Sequence, residues 1–217
     1  YYALMPNLIH QGKRVNYNGK QVISLNHFVD NFDSYIAGNL AGQGNWLSCL
    51  NNIGVAVASG NGGVYPGTSV NIAAVKRSET FLSNHYSQIT INSPGSNQWI
   101  GVSARTQGES NTASYYSYIA TASARALSVI VNGTEYGIAS GPGISDNDVL
   151  RIEVQGSTIT CYRNGVIDTS MGIATSPASG NNGIYIDTRF LTGGTPGISS
   201  RGYNVYVFAD NWLGGNL

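Results

Sequence analysis

VLRIEVQGSTITCYRNGVID, residues 149 to 168, is the stretch of this sequence that decides the fold. Apolar and polar side chains alternate from residue 150 to residue 155, as they do in a strand with one buried face. The chain then turns at Gly156-Ser157 and again at Asn164-Gly165. A glycine at each reversal supplies the positive φ that a tight hairpin needs, and asparagine tolerates it. Two turns around one central strand predict antiparallel β-structure.

The composition indicates one globular domain with many turns. The chain has 217 residues, of which 41% are hydrophobic and 28 are glycine. A chain of this size can bury roughly 70% of its unfolded surface, and all-β sandwiches of about 200 residues commonly form one domain. The sequence starts with Tyr1-Tyr2 rather than Met, so we expect a processed chain or a piece of a longer one.

Charge and hydropathy exclude two classes of partner. Charged residues make up 10% of the chain, and Lys+Arg balances Asp+Glu at 11 each. Without a basic field, binding to nucleic acid or to an anionic membrane surface is not expected. Insertion into a membrane is not expected either, because no apolar run is long enough to cross a bilayer.

Further short strands are predicted at near-regular intervals, and helix signals are scarce. The predicted strands are residues 53–57, 70–75, 87–91, 99–105, 115–121, 127–131, 135–139, 182–190 and 203–208. Glycine-rich segments at 61–66 and 193–197 are predicted as loops. Many short strands of this kind predict a sandwich or a barrel.

The first 29 residues are predicted to form a separate N-terminal arm or hairpin. LIHQGKRVNYNGKQVISL, residues 8–25, indicates a small hairpin or an extended arm with Asn18-Gly19 as its turn, and residues 13–25 alternate like a strand. The domain boundary is expected between Asn26 and Asp30. This gives an arm at 1–29 and a sandwich domain at 30–217, and the arm is expected to hold copies together in a homo-oligomer or larger assembly.

Eight segments in a fixed order carry a resemblance to a known superfamily. They are DNFD at 30–33, GNW at 44–46, WIGVSAR at 99–105, SYYSYIA at 114–120, LSVIVNGTEYGIAS at 127–140, the hairpin at 149–168, NNGIYI at 181–186 and VYVFADNW at 205–212. This order resembles the concanavalin A-like (laminin-G-like) jelly-roll superfamily of lectins and glucanases. The resemblance implies an all-β sandwich of two antiparallel sheets whose first and last strands lie side by side.

The residues that hydrolases of this fold need are not found together in the sequence. Such hydrolases place two or three carboxylates on one strand, because glycoside cleavage needs an acid and a nucleophile or base. The glutamates here are isolated, at Glu79, Glu109, Glu135 and Glu153. Lyases of the fold use Arg, Gln, His and Tyr on paired strands, and the segment at 88–90 lacks the histidine. We predict no enzyme activity, and a hydrolase or lyase stays an alternative if Arg105, Tyr116 and Arg189 converge in space.

Carbohydrate binding is better supported by the residues present. Flat aromatic rings stack on the apolar faces of sugars, and the side chains of amide residues, Arg and Asp bind the sugar hydroxyls. The chain has 14 Tyr and three Trp. The candidate ligand-binding residues are Tyr115, Tyr116, Tyr118, Arg105, Tyr162, Arg163 and Asn164. Alternation puts Tyr116 and Tyr118 on one face of their strand and Tyr115 on the other, so part of this cluster is expected in the core. Trp46 and Trp99 are expected to pack.

A structural calcium ion is implied by the resemblance. In many members of the superfamily Ca²⁺ is bound where the first and last strands meet, and the matching carboxylates here are Asp30, Asp33 and Asp210. Oxygen ligands of this kind suit Ca²⁺. The alternative is that Asp30 and Asp33 cap turns through hydrogen bonds to backbone N–H groups. Zinc is not expected, because the three histidines are dispersed.

The two cysteines, Cys49 and Cys161, are predicted as buried free thiols. One disulfide is the alternative, and their separation in sequence does not decide between them.

We therefore predict a non-catalytic module that binds a glycan or cell-surface polysaccharide. The Gly-, Asn-, Ser- and Tyr-rich composition also resembles modules displayed on phage tail fibres or capsids, and from this resemblance we expect the chain on a virion surface or outside the cell. Two alternatives stay open. One is a structural coat or decoration protein without a glycan ligand, and the other is a polysaccharide-degrading hydrolase or lyase of the same fold.

Overall fold

Antiparallel strands are the main secondary structure of the computed structural model. The residues it describes are 15–17, 20–22, 27–51, 54–58, 63–67, 72–171, 173–175, 178–179, 185–186, 193–202 and 208–217. One 3₁₀ turn, Ser110–Thr112, interrupts the strands in these ranges. No helix within them has the length and apolar character that a bilayer span requires.

The strands follow one another in chain order with short connections. They are β1 Val15–Tyr17, β2 Lys20–Val22, β3 His27–Asp30, β4 Gly38–Asn39, β5 Trp46–Leu50, β6 Val55–Val57, β7 Val64–Pro66, β8 Ala73–Arg77, β9 His85–Asn92, β10 Trp99–Gln107, β11 Ser114–Ala120, β12 Ala124–Val131, β13 Thr134–Pro142, β14 Asp148–Gln155, β15 Thr158–Arg163, β16 Val166–Ile167, β17 Ile173–Thr175, β18 Ala178–Ser179, β19 Tyr185–Ile186, β20 Thr195–Arg201 and β21 Phe208–Asn216.

Two large sheets stack face to face, which confirms the predicted sandwich. The seven-stranded sheet, here sheet I, has the order β13-β12-β11-β10-β20-β8-β5. The ten-stranded sheet, sheet II, has the order β16-β15-β14-β9-β21-β7-β6-β4, with β3 beside β21 and β17 beside β15. The main core lies between them and combines apolar side chains of both sheets, such as Val102 and Ile198 of sheet I with Ile89 and Ile152 of sheet II.

The two predicted turns of the 149–168 hairpin are present. Gln155 pairs with Thr158 across the first turn, and Arg163 pairs with Val166 across the second. Gly156 has a φ of 57°, and Asn164 and Gly165 have φ of 52° and 77°. The positive φ that the sequence indicated at each reversal is therefore confirmed.

The first and last strands of the sandwich are neighbours, as the resemblance implied. β3 pairs with β21, with Trp212 opposite Asp30. Beneath this pair Trp46 Nε1 donates to Asp30 Oδ2 at 2.8 Å, and the Trp46 and Trp212 rings meet edge to face at 4.9 Å. The Arg77 guanidinium lies over both rings, 4.9 and 5.4 Å from their centres. The aromatic residues of the DNFD, GNW and DNW segments are thus core residues, as predicted for Trp46.

The predicted loop at 193–197 is wrong in its second half. Gly193 and Gly194 form a turn with positive φ, but β20 begins at Thr195 and lies in the middle of sheet I. Glycine and proline made this segment resemble a loop, whereas Gly197 is needed in a strand. A Cβ there would overlap the carbonyl oxygen of Val75 on β8.

The N-terminal segment contains the predicted hairpin. β1 and β2 pair with Tyr17 opposite Lys20, on either side of Asn18-Gly19, whose own conformation lies outside the described residues. β3 starts at His27, inside the 26–30 interval proposed for the boundary. The division into an arm and a domain stays a prediction. The predicted strands at 182–190 and 203–208 lie largely outside the described residues, apart from β19 and Phe208.

Sheet I is strongly curved, with its concave face turned away from the main core. A second apolar cluster fills one end of that face and contains Cys49 of β5 together with Tyr115 of β11 and Ile130 of β12. Three strands lie between β5 and β11 in the sheet, so these side chains meet only if the sheet rolls inward. Gly101 permits β10 to lie close to β11, because a Cβ at this position would overlap the carbonyl oxygen of Tyr118.

Candidate functional site

Small residues form the floor of the concave face of sheet I. Cross-strand pairing places Gly197, Ser103, Ser117, Ser128 and Gly137 in one row across five strands. These residues point away from the main core, since their strand neighbours such as Val102 and Leu127 point into it. A row without large side chains leaves a channel that runs across the strands.

One cavity of about 630 Å³ opens on this face at the β12–β13 end. Its lining residues are Ala126, Ser128, Glu135, Gly137, Ile138, Ala139, Ser140, Ser170 and Arg201. We call this cavity, together with Trp99 beside Arg201, the concave groove. Its volume lies in the range typical of small-molecule and sugar sites.

An ion pair spans the concave groove. Arg201 Nη2 at the end of β20 contacts Glu135 Oε1 of β13, and the two side chains are 31% and 24% exposed. On a flat sheet these strands would lie about 19 Å apart, so the contact depends on the curvature of sheet I. The guanidinium of Arg201 also lies over the half-buried ring of Trp99, 5.5 Å from its centre.

The hydroxyls of the floor are mostly bonded to one another. Ser117 Oγ and Ser199 Oγ are 2.7 Å apart, and Thr106 Oγ1 donates to Ser103 Oγ at 2.9 Å. The exposed hydroxyls belong to Ser140 and Ser170 at the rim. The groove therefore offers a ligand a small neutral floor, and the charged groups and the exposed hydroxyls stand at its edges.

Ser170 is held at the rim by a buried ion pair. Asp168 accepts hydrogen bonds from Arg125 Nε at 2.7 Å, from Arg125 Nη2 at 3.0 Å and from the Tyr118 hydroxyl at 2.6 Å. The N–H of Ser170 donates to Asp168 Oδ1 at 3.2 Å. Burial raises the pKa of Asp168, but the hydrogen bonds and charge of Arg125 outweigh it and hold that pKa below its usual value. Asp168 is thus a structural anion.

The three candidate tyrosines of β11 have no surface to offer a ligand. Tyr116 and Tyr118 lie fully buried in the main core, and Tyr115 is buried in the second cluster on the concave side. Burial raises the pKa of both Tyr115 and Tyr118. The predicted alternation of the three side chains is present, but both faces of this strand are buried.

Arg105, the fourth candidate, is also buried. It has a φ of 52° in a bulge of β10, and its backbone N–H donates to His85 Nε2 at 3.0 Å. Its guanidinium donates to the carbonyl oxygen of Gly156 in the β14–β15 turn. Arg105 therefore ties the bulge to that turn and does not line the concave groove.

The remaining three candidates belong to sheet II. Arg163 Nη2 lies 2.6 Å from Asp148 Oδ2, and Asn164 Nδ2 donates to Asp148 Oδ1 at 2.6 Å. The Tyr162 hydroxyl donates to Glu153 Oε2 at 3.0 Å. These contacts close the hairpin, and the structure does not bring Tyr162, Arg163 or Asn164 together with the concave groove.

Asp30 and Asp210 lie near each other, but they do not fit a calcium site as arranged. Asp30 Oδ1 accepts from the N–H of Phe32 at 3.0 Å, and Oδ2 accepts from Tyr35, Trp46 and Arg77 at 2.6 to 3.2 Å. A cation would have to displace these donors.

Asp33 and Asp210 add negative charge near Asp30, but they do not complete a set of ligands for a calcium ion. Burial raises the pKa of Asp210, and the negative charges of Asp33 and Asp30 raise it further. Within the described ranges no group of three or more His, Cys, Asp and Glu side chains is arranged to hold a metal. The calcium site stays a prediction from the resemblance, and nothing below depends on it.

Both cysteines are buried free thiols, as predicted. Cys49 lies in the second cluster with Sγ 3.6 Å from the carbonyl oxygen of Gln107, and Cys161 lies in the main core. Burial raises the pKa of Cys49 to about 12. Neither thiol has the thiolate character that reactive cysteines need.

Comparison with known proteins identifies the fold. No family model and no curated protein matches this sequence. Among solved structures, the carbohydrate-binding module CBM66 from Bacillus subtilis matches with a TM-score of 0.51 at 14% identity over 77% of this chain and 91% of its own. A β-glucanase from Bacillus licheniformis matches with a TM-score of 0.52 at 12% identity over 88% of this chain and 98% of its own.

A third similar structure has no assigned activity. It is a Bacillus subtilis protein of unknown function with a galectin-like fold, with a TM-score of 0.53 at 9% identity over 87% of this chain and 94% of its own. Identities this low bear on the fold alone. Together with the two stacked sheets and the adjacent first and last strands, they show that this chain has the concanavalin A-like jelly-roll fold.

Proposed function

We propose that this protein binds carbohydrate in the concave groove and does not cleave it. The observation that carries the proposal is the groove itself, with a floor of small residues, one half-buried indole ring beside it and polar groups at the rim. An aromatic ring supplies stacking area for a sugar, and the rim groups of Ser140, Ser170 and Arg201 supply hydrogen bonds to the ligand.

The carboxylate content of sheet I favours binding over hydrolysis. Glu135 is the one carboxylate on the seven strands of that sheet as the structure describes them, and it is paired with Arg201. Glycosidases use two carboxylates about 5 to 9.5 Å apart, one as acid and one as nucleophile or base. Among the similar structures one is named as a carbohydrate-binding module and another as a β-glucanase, and both names imply that the protein binds a sugar.

A blocking substitution tests the groove. Gly137 has open space where a Cβ would stand, so Gly137→Trp is expected to fill the groove without disturbing the strand. We expect binding to any glycan that the wild type retains to weaken about tenfold or more, because the ligand would lose its buried contacts. A glycan array followed by titration calorimetry measures this.

The matched control is Val166→Trp, which adds the same ring at an exposed position of β16 in sheet II. It is expected to bind like the wild type. Equal binding by Gly137→Trp would move the site away from the groove, and release of reducing sugars from a polysaccharide panel would establish the hydrolase alternative.

Display on a virion or an extracellular assembly is our proposal for the setting, with the arm at 1–29 joining copies. Its support is the low-charge composition and the β1–β2 pairing ahead of the sandwich. Deleting residues 1–26 is expected to leave a folded monomer where the full chain assembles. Light scattering measures the mass of both, and an unchanged oligomer would contradict the role of the arm.

A further inference from the structure

The two partners of the groove ion pair are held to different extents. Arg201 ends β20, a central strand of sheet I, and its guanidinium lies over the Trp99 ring as well as against Glu135. Glu135 is the second residue of β13, the edge strand, just after the Asn132-Gly133 turn. Among the described residues Arg201 is the partner found for the Glu135 carboxylate. Glu135 is therefore the partner that can swing away while Arg201 stays.

The guanidinium of Arg201 also has donor capacity left over. Its Nε is buried and has no hydrogen-bond partner. A guanidinium carries five N–H donors in a fixed planar arrangement, which matches the two oxygens of a carboxylate. A single carboxylate oxygen of Glu135 does not use that arrangement in full.

We propose, on the basis of the function proposed above, that the ligand of the concave groove is a glycan whose sugars carry a carboxylate. Arg201 binds that carboxylate in place of Glu135. The exchange replaces one anion with another, so Arg201 is never left without a counter-charge in its partly buried position. The Trp99 ring holds the guanidinium in place for a two-point contact, and the small floor admits the sugar ring beside it.

The other cation on the concave face explains why a ligand carboxylate would bind at Arg201. Lys76 is the other cation that the described strands of sheet I place on this face, and it is already engaged. Its Nζ donates to the carbonyl oxygen of Gly108 at 3.0 Å and lies 3.9 Å from Glu109 Oε1. Arg201 is thus the cation whose present partner can be exchanged.

The direction in which Glu135→Gln changes the affinity for a glycan distinguishes an acidic ligand from a neutral one. In Glu135→Gln the competing carboxylate is gone, so an acidic glycan should bind about five-fold more tightly, as expected for a partly exposed ion pair. A neutral glycan held by hydrogen bonds to both side chains would instead bind equally or more weakly. Arg201→Gln is expected to weaken an acidic glycan at least about tenfold.

The experiment is calorimetric titration of the full chain with three probes. They are an oligouronate, the same oligosaccharide with its carboxyl groups esterified, and a sulfated oligosaccharide of similar length. Wild type, Glu135→Gln and Arg201→Gln are compared, with melting curves to confirm that each variant is folded. Glu153→Gln is the matched control, because Glu153 is paired with Arg151 at similar exposure in sheet II.

We expect the oligouronate to bind wild type, to lose affinity on esterification, and to bind Glu135→Gln more tightly while Glu153→Gln is unchanged. Equal binding of the ester, a weaker Glu135→Gln, or preference for the sulfated probe would overturn the carboxylate assignment and leave groove binding intact. A wild type that binds none of the probes, nor any glycan of the array, would remove the proposed function itself.

Discussion

Replacing Asp168 with alanine is expected to destabilise the protein by about 3 to 5 kcal/mol, because it leaves a buried guanidinium without its counter-charge. The side chains of Asp168 and Arg125 are each 4% exposed. Arg125 would keep its hydrogen bonds to the carbonyl oxygens of Pro142 and Gly143, which do not replace an anion. The free energy of unfolding from urea titration measures the loss.

The matched control for this change is Glu153→Ala. Glu153 also pairs with an arginine, but its side chain and that of Arg151 are 21% and 25% exposed. Removing such a pair is expected to cost no more than about 1 kcal/mol. Equal costs at Asp168 and Glu153 would mean that the buried pair does not hold the sandwich together.

The position of Asp168 beside the concave groove means that its replacement should also affect ligand binding. Asp168 follows β16 of sheet II, whereas Arg125 lies on β12 of sheet I, so the pair joins the two sheets beside the concave groove. Ser170 depends on the same carboxylate for its backbone hydrogen bond and lines the cavity. Any glycan bound by the wild type should therefore bind Asp168→Ala more weakly even where that variant is still folded.

Local turn chemistry explains why much of the fold could be predicted from the sequence. Gly156 and the Asn164-Gly165 pair reverse the chain through backbone angles that depend on these residues alone. Asn132-Gly133 reverses it between β12 and β13 in the same way, with φ of 49° and 75°. Tight turns of this kind also set the register of the strands they join, so the hairpins followed directly.

The concave groove could not be predicted because it depends on the curvature of a whole sheet. Trp99, Glu135 and Arg201 come from three strands far apart in the sequence. They meet across a sheet in which Gly101 of β10 lies so close to β11 that a Cβ would overlap the carbonyl oxygen of Tyr118, and no periodicity in the sequence indicates such an approach.

Alternation also failed to identify which tyrosine faces a ligand. It assumes that one face of a strand is buried and the other exposed. β11 is buried on both faces, since Tyr116 and Tyr118 pack in the main core and Tyr115 in the second cluster. In a rolled sheet the concave face can form its own apolar cluster, so an outward-pointing aromatic residue is not necessarily exposed.

The protein is expected to lose about 3 kcal/mol of stability between pH 6.5 and pH 4 through one buried histidine. His85 has no exposed surface, its Nδ1–H donates to the carbonyl oxygen of Leu82 at 2.8 Å, and its Nε2 accepts the N–H of Arg105 at 3.0 Å. With Nε2 accepting, the ring is neutral. Burial, helped by the charge of Arg105 and opposed by the hydrogen bond to Leu82, lowers the pKa of His85 to about 4.

Acid lowers the stability of the folded protein because the unfolded chain binds the proton more readily. Between pH 6.5 and pH 4 the unfolded chain protonates His85 while the folded protein keeps it neutral, so acid favours unfolding. The stabilisation is complete above pH 6.5, declines as the pH falls, and is gone below pH 4. Protonation in the folded state would also break the bond to Arg105 and loosen the β10 bulge.

Urea titrations at a series of pH values from 7.5 to 4.5 measure this effect. His85→Gln is the control, because glutamine can accept the Arg105 N–H but does not titrate in this range. Its stability should be nearly independent of pH where that of the wild type falls. Asp148, Asp168 and Glu79 have lowered pKa values and act mainly below this window, and they are present in both proteins. Parallel pH profiles for the two proteins would show that His85 is not the acid-sensitive group.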